Sequence, residues 1–123
     1  MQITFLDFET LGRDLTVERF CEFGNVTVYG NTQPMDVASH ISDAEVVIVN
    51  KVKLNAENLS SAESLRLICI AATGFDNIDL EYCKKRNIAV CNVVGYSTQS
   101  VAQVTVSMAL SLITHLSEYS AYV

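Results

Sequence analysis

The stretch "TGFDN" at residues 73–77 combines residue types that bind small anions, and it directly follows the apolar run "LRLICIAA" at 65–72. Gly74 permits either close approach of a ligand to the backbone or a positive φ, and consecutive N–H groups around such a glycine can form an anion-binding nest. Asp76 and Asn77 can hydrogen-bond back to the loop and stiffen it. The same residues are also typical of an ordinary strand-to-helix turn, so the pattern alone leaves both interpretations open.

Other polar residues near predicted strand ends permit two interpretations as well. Lys51 follows the apolar run "EVVIVN" at 45–50, where it could bind an anion or simply be solvated. Tyr96, Ser97 and Thr98 place three hydroxyl groups before the last predicted helix, either as ligand contacts or as the entry to that helix.

Catalytic and metal chemistry is not indicated by the remaining polar residues. His40 and His115 have no cysteine or acid at nucleophile or metal spacing, and the sequence contains neither G-x-G-x-x-G nor a Walker loop. We therefore predict no catalytic residue and no metal site. The spacing of the four cysteines also matches no zinc signature, and we expect them to be reduced, buried and apolar in character: Cys21, Cys69, Cys83 and Cys91.

The composition limits the class of protein. The 123 residues are 50% apolar and 18% charged with a net charge of −6, which excludes disorder and predicts no binding to nucleic acid or to an anionic membrane. The longest apolar stretch, 101–116, is interrupted by polar residues and is shorter than the roughly 20 residues of a membrane span. The first residues lack a basic start, so we expect a cytoplasmic protein.

Five β-rich runs alternate with helix-like segments, which predicts a parallel sheet with right-handed crossovers. The runs read as nearly continuous apolar strands, which is typical of a sheet covered on both faces. We therefore predict an α/β, flavodoxin-like, doubly wound five-stranded sheet in the order 2-1-3-4-5. The predicted strands are 3–8, 25–30, 45–50, 65–72 and 88–94, and the predicted helix caps are Thr16, Asp36, Asn55 and Asp79.

The last segment differs from the rest of the chain. We divide the sequence into a flavodoxin-like domain at 1–97 and a long apolar linking helix at 98–123, in which Ser100 and Gln103 have capping-box spacing. The helix is apolar on nearly every face, and one small domain covers only one side of it. We infer that another domain or subunit covers the rest, so the chain is expected to associate, as a homodimer for example.

Ligands of open α/β sheets bind beyond the carboxyl ends of the strands. In the predicted order strands 3, 4 and 5 are neighbours, so the loops that follow them should form one rim. On this rim the "TGFDN" loop, Lys51 and the hydroxyl groups would meet.

Residues 65–110, "LRLICIAATGFDNIDLEYCKKRNIAVCNVVGYSTQSVAQVTVSMAL", resemble the D-isomer-specific 2-hydroxyacid dehydrogenases. The G-x-D-N-I-D-L segment, the basic "KKRNI", the "V-x-N-V" strand and the "GYSTQSVAQ" helix entry occur in the family's order and spacing. "YST…SVAQ" is most similar to the glycerate dehydrogenase, or hydroxypyruvate reductase, branch.

The resemblance implies a function and a set of site residues. Family members transfer hydride between NAD(H) and carbon 2 of a small 2-hydroxy or 2-keto acid, in a cleft between two domains, and this chain resembles the first, substrate-binding domain. Backbone N–H groups of the loop after strand 4 would bind the substrate carboxylate, and the loop after strand 3 would line the same pocket. The implied substrate-binding residues are Lys51, Val52, Ala72, Thr73 and Gly74, and those implied near the nicotinamide are Thr73, Ser100 and Val101.

The family's nucleotide-binding domain follows the last helix and carries the catalytic arginine, glutamate and histidine, whereas this sequence ends at Val123. The resemblance therefore implies no bound cofactor and no turnover for these residues alone. Two alternatives stay open: a non-enzymatic small-carboxylate-binding or oligomerisation module, and a receiver-like signalling domain. A receiver requires an aspartate at the end of strand 3 and a lysine at the end of strand 5, and here Asp7 and Glu9 match only its acidic pair.

Overall fold

A computed structural model describes residues 1–12 and 14–122 and contains one parallel sheet with the strand order β2-β1-β3-β4-β5. This confirms the predicted fold class and order. Each strand is shorter than its predicted run, although single backbone hydrogen bonds between neighbouring strands continue past the strand ends, as from Ala71 to Val49. The strands are β1 Gln2–Phe5, β2 Asn25–Val28, β3 Val46–Val49, β4 Leu67–Ile70 and β5 Ala89–Asn92.

Three short helices cover the first face of the sheet: α1 Val37–His40, α2 Ala56–Leu59 and α3 Leu80–Lys85. They bury one apolar cluster against the sheet, with Val37, Leu59 and Cys83 as their inward residues. Asn55 begins α2 with a complete capping box, and Asp79 caps α3 by accepting from the Tyr82 N–H, so both predicted caps are confirmed. Asp36 precedes α1 but makes no side-chain cap bond.

The second face is covered only in part. Two 3-10 turns, Phe8–Leu11 and Glu18–Phe20, lie over β1 and β3, where the Phe5 ring contacts Phe8 and Phe20 edge to face. Over β4 and β5 this face is open, and alternate residues of β5 are exposed. The expectation that both faces are covered holds for the central strands and fails at this edge.

The predicted helix behind Thr16 is wrong. Its place is taken by the three-residue 3-10 turn Glu18–Phe20, which follows Val17 and has no side-chain cap. The chain reaches Gly24, at φ 153°, four residues after this turn ends, which leaves no length for a full helix before β2.

The C-terminal segment forms two helices, α4 Thr98–Ile113 and α5 Leu116–Ser120, separated by His115 in the left-handed region at φ 52°. Ser97 is the N-cap residue of α4 and makes no side-chain cap bond, so the predicted Ser100–Gln103 capping box is wrong. The helix begins at Thr98, two residues before Ser100, because Gly95, at φ 76°, turns the chain before Ser97.

No residue of α4 is buried among the described part of the chain. The expectation that the domain covers one side of this helix is therefore wrong, and its large apolar residues are all more than half exposed: Val101, Val104, Val106, Met108, Leu110, Leu112 and Ile113. The division of the chain at residues 97 and 98 stays a prediction. Within the described ranges no helix has the length and apolar character needed to cross a membrane.

Candidate functional site

A buried carboxylate organises the loop after β3. Asp7 lies just beyond β1, is 3% exposed, and accepts hydrogen bonds from the backbone N–H groups of Asn50 at 2.9 Å, Lys51 at 2.5 Å and Val52 at 3.1 Å. We call residues 50–52 the Lys51 loop. The three N–H groups of this loop already donate to Asp7. Only the side chains of the loop are therefore available to bind a ligand.

Asn77 connects the Lys51 loop to the loop after β4. Its side-chain Nδ2 donates to the Val52 carbonyl at 3.0 Å, and its own carbonyl accepts from the Leu54 N–H at 2.9 Å. The structure corrects the prediction that Asn77 stiffens its own loop, because its amide group bonds to the neighbouring loop. The two loops therefore hold a fixed relative position.

The loop predicted to bind a carboxylate, Ala72–Gly74, is held through its carbonyl groups and one hydroxyl. We call it the Thr73 loop. The Thr73 carbonyl accepts from the Asn92 side chain at 2.6 Å, the Ala72 carbonyl accepts from the Val93 N–H at 3.1 Å, and the Thr73 hydroxyl donates to the Val93 carbonyl at 3.0 Å. These bonds fix the loop to the end of β5.

The N–H groups of Thr73 and Gly74, in contrast, do not take part in holding the loop. Thr73 and Gly74 are exposed, and within residues 1–12 and 14–122 neither N–H donates a hydrogen bond. Exposed donors next to an anchored backbone are able to bind an anionic ligand without rearrangement.

Gly74 does not adopt a positive φ, so one of the two reasons proposed for a glycine here is wrong. A Cβ at this position would lie 3.2 Å from Oδ1 of Asp76, which is a tight contact with an exposed side chain. The remaining reason for glycine is close approach to the backbone.

A cleft of about 550 Å³ lies beside these loops at the carboxyl ends of the strands. Lys51 and Ala72 both line it, and apolar side chains over β1 and β3 on the second face of the sheet form its walls. A second cleft of about 620 Å³ is lined by Lys51, Val52 and Asp7 among others. The structure thus brings Lys51 and Ala72 together at one cleft, with Thr73 and Gly74 following directly in the chain. The residues that complete the first cleft are Phe5, Phe8, Thr10, Leu11, Leu15, Thr16, Phe20, Ile48, Asn50, Ala71, Val93 and Tyr96.

Ser100 and Val101 lie in the exposed first turns of α4, and neither contributes to the two clefts. Their predicted approach to a nicotinamide stays a prediction. These residues and Thr73 form at most one edge of a dinucleotide site, since the sequence has no glycine-rich pyrophosphate loop. The described residues therefore do not fit a complete NAD site, and we assign no step of hydride transfer to them.

The histidines and cysteines provide no catalytic group at the clefts. His40 stacks on Tyr29 and its Nδ1 lies 3.1 Å from the Thr32 hydroxyl, which is a structural role. In the described ranges no three His, Cys, Asp or Glu side chains are placed to hold a metal ion. The expectation that the cysteines are buried is right for Cys83 and wrong for Cys21 and Cys91, which are exposed. Burial raises the pKa of the Cys83 thiol, with a further contribution from the negative charge of Asp79, so this thiol is unreactive.

Sequence reasoning missed two positioning residues, Asp7 and Asn92. Asp7 was available as a signal, because a carboxylate that directly follows a buried strand needs donors. The three backbone donors of Asp7 exclude the open metal-binding carboxylate that the acidic pair of a receiver domain would require.

Comparison with known proteins defines the class to which this fold and rim belong. The family model for the D-isomer specific 2-hydroxyacid dehydrogenase catalytic domain matches residues 5–120. The chain belongs to this family.

Individual relatives agree with this assignment. The chain is 32% identical over 112 residues to a glycerate dehydrogenase of Methylorubrum extorquens and 30% identical over 127 residues to a hydroxypyruvate reductase of Blautia hydrogenotrophica, covering 90% and 100% of this chain. The solved structure of the D-lactate dehydrogenase of Aquifex aeolicus, complexed with NAD and lactic acid, superposes with a TM-score of 0.77 at 29% identity over 94% of this chain. The chain spans 35%, 39% and 34%, respectively, of the lengths of these three proteins.

Proposed function

We propose that this chain is the substrate-binding part of an NAD-dependent D-2-hydroxyacid dehydrogenase that interconverts a 2-hydroxy and a 2-keto acid such as glycerate and hydroxypyruvate. The observation that carries the proposal is that the N–H groups of the exposed residues Thr73 and Gly74 make no hydrogen bond in the described chain and directly follow Ala72, which lines the cleft of about 550 Å³ with Lys51. The names of the relatives, and the NAD in a related solved structure, support the same reaction class. A cytoplasmic location is part of the proposal.

In this function the residues of the chain bind and orient the substrate. The free N–H groups of Thr73 and Gly74 donate to the carboxylate of the acid, and the exposed Lys51 ammonium attracts it to the cleft. Asp7 fixes the Lys51 loop, and Asn92 fixes the Thr73 loop. Hydride transfer requires NAD(H), which supplies the redox chemistry when bound, and groups that these residues do not contain.

Binding of oxalate to the 123-residue chain, measured by calorimetry, tests the proposal. We expect saturable binding of oxalate and none of its neutral diamide, because the free N–H groups match a carboxylate. Lys51→Gln should weaken binding by about fivefold, since an exposed ion pair contributes about 1 kcal/mol. Lys85→Gln, at the far end of α3, is the control of equal charge and should leave affinity unchanged. Equal binding of the acid and the diamide would contradict the proposed carboxylate site.

The same chain should not oxidise NADH with hydroxypyruvate or glyoxylate, because no histidine is among the described residues that line the cleft and the sequence has no glycine-rich pyrophosphate loop. Clear turnover by a preparation of verified mass would contradict the proposal that these residues bind the substrate without catalysing hydride transfer.

We also propose that the chain associates, as a homodimer or with another domain, through the exposed apolar surface of α4. Val101, Val104, Met108 and Leu112 follow one side of this helix and are each at least 55% exposed, and continuous apolar surface of this kind marks an interface. Sedimentation should show self-association that Val104→Glu reduces and that Gln103→Glu, on the opposite side, does not. A monomer at all concentrations would contradict the homodimer.

A further inference from the structure

Two thiols lie side by side on the open second face of the sheet. Cys69 of β4 and Cys91 of β5 are direct partners in the strand register, and their Sγ atoms are 3.5 Å apart. We propose that Cys69 and Cys91 form a thiol–disulfide modification site, which low-molecular-weight disulfides such as oxidised glutathione convert to a cross-strand disulfide. This inference does not depend on the proposed function.

The backbone geometry allows the bond. Neighbouring strands lie about 4.8 Å apart, which falls within the range of about 4.4–6.8 Å between the Cα atoms of disulfide-bonded cysteines. Because the two residues share a register position, both side chains leave the sheet on the same face, and rotation of the side chains can close the gap between the sulfur atoms. No second pair of thiols within residues 1–12 and 14–122 makes such a contact.

The exposure of the two thiols determines which of them reacts first with the small disulfide. Cys91 is exposed and Cys69 is half-buried, so the reagent meets Cys91 first. Burial, followed by the hydrogen bond and charge of Cys91, raises the pKa of the Cys69 thiol to about 12, which also disfavours Cys69 as the first nucleophile. Once Cys91 is in a mixed disulfide it carries no charge, and its contribution to the raised Cys69 pKa disappears.

The reaction is balanced by one molecule of the small disulfide. The Cys91 thiolate attacks one sulfur of oxidised glutathione, forming a mixed disulfide and releasing one glutathione thiolate. Cys69 gives up its proton to solvent and its thiolate attacks the Cys91 sulfur, which forms the internal bond and expels the second glutathione. Two protein thiols are oxidised by two electrons, and one glutathione disulfide is reduced to two thiols.

The proposed disulfide lies next to the hydrogen bonds that hold the Thr73 loop to β5. Asn92, which follows Cys91, donates to the Thr73 carbonyl, and Val93 bonds to both Ala72 and Thr73. A covalent link between β4 and β5 therefore lies directly before the hydrogen bonds that hold the Thr73 loop.

Oxidation of the native 123-residue chain with oxidised glutathione, followed by intact mass measurement and peptide mapping, tests the proposal. We expect the Cys69 and Cys91 thiols to disappear with the loss of two hydrogens and no glutathione retained on either residue, whereas an adduct on the exposed Cys21 is retained because no second thiol contacts it in the described chain. Digestion with trypsin and with a protease that cleaves before aspartate separates Cys69 from Cys83 at Asp76, so the map identifies the linked pair. We expect the Cys69 and Cys91 peptides to be linked, and reduction to restore all four thiols.

Variants distinguish this pair from general thiol reactivity. Cys91→Ser should abolish the internal bond, Cys69→Ser should stop the reaction at a stable glutathione adduct on Cys91, and Cys21→Ser should leave the bond unchanged as the exposed-thiol control. A persistent adduct on Cys91 in the parent chain, a different linked pair, or no reaction would overturn the proposal.

Discussion

The three hydrogen bonds of Asp7 allow a quantitative prediction. In Asp7→Asn the amide keeps one oxygen, which can replace Oδ2 as the acceptor for Lys51 and Val52, but its NH₂ group then meets the Asn50 N–H. One charge-assisted bond is lost and two become neutral, which we expect to cost about 2–3 kcal/mol of the free energy of unfolding. Asp7→Ala loses all three acceptor contacts and should cost about 3–5 kcal/mol.

Urea unfolding followed by far-ultraviolet circular dichroism measures this effect. With a slope of about 1.5 kcal/mol per molar for a chain of this size, Asp7→Asn should lower the midpoint by about 1–2 M without changing the slope. Asp43→Asn makes the same chemical change at an exposed carboxylate that has no hydrogen-bond partner in the described chain, and should shift the free energy by less than about 0.5 kcal/mol. Equal midpoints for the parent, Asp7→Asn and Asp7→Ala would refute the role of Asp7 as the anchor of the Lys51 loop.

Three further predictions concern the capping box, the Thr73 loop and the thiols. Asn55→Ala removes the side-chain acceptor that caps α2 and should cost about 1 kcal/mol in the same urea experiment, and an unchanged midpoint would contradict the cap. Thr73→Val keeps the side-chain shape but loses the bond to the Val93 carbonyl, so amide hydrogen exchange at Val93 should become faster while exchange within β1 stays the same; unchanged exchange at Val93 would contradict the anchoring of the loop. Because folding raises the pKa of Cys69 from 9.0 to about 12, the stabilisation linked to its neutral thiol is fully present below pH 9 and is lost as the pH rises toward 12. The free energy of unfolding should therefore fall over this pH range, and Cys69→Ala should make the fall less steep; a parallel curve for this variant would count against the raised pKa.

The fold was predictable because local signals and periodicity agreed. Apolar runs separated by polar caps gave the five strands and their order, and Asn55 and Asp79 cap helices as the sequence indicated. The failures have a common cause, since each required knowledge of local geometry that residue types do not contain. The positive φ of Gly95 starts α4 before Ser100, and the short path to Gly24 leaves a 3-10 turn behind Thr16.

The sequence predicted which loops form the candidate site. It did not predict the hydrogen bonds that hold these loops in place. The position of the Thr73 loop follows from the strand order, because the ends of β3, β4 and β5 are neighbours. The side chains that anchor the Lys51 loop and the Thr73 loop, those of Asp7, Asn77 and Asn92, bond to backbone groups 19 to 45 residues away in sequence. Long-range side-chain to backbone bonds of this kind have no local pattern that a single sequence reveals.

The central claim is that the Thr73 and Gly74 amides bind a substrate carboxylate, and residue-resolved NMR during a titration with oxalate tests it most directly. The account predicts saturable shifts of the Thr73 and Gly74 N–H signals, with little change at the Lys51 and Val52 amides, whose hydrogens are already bonded to Asp7. Oxalate that reached saturation, as measured by calorimetry, while leaving the Thr73 and Gly74 signals unmoved would contradict it.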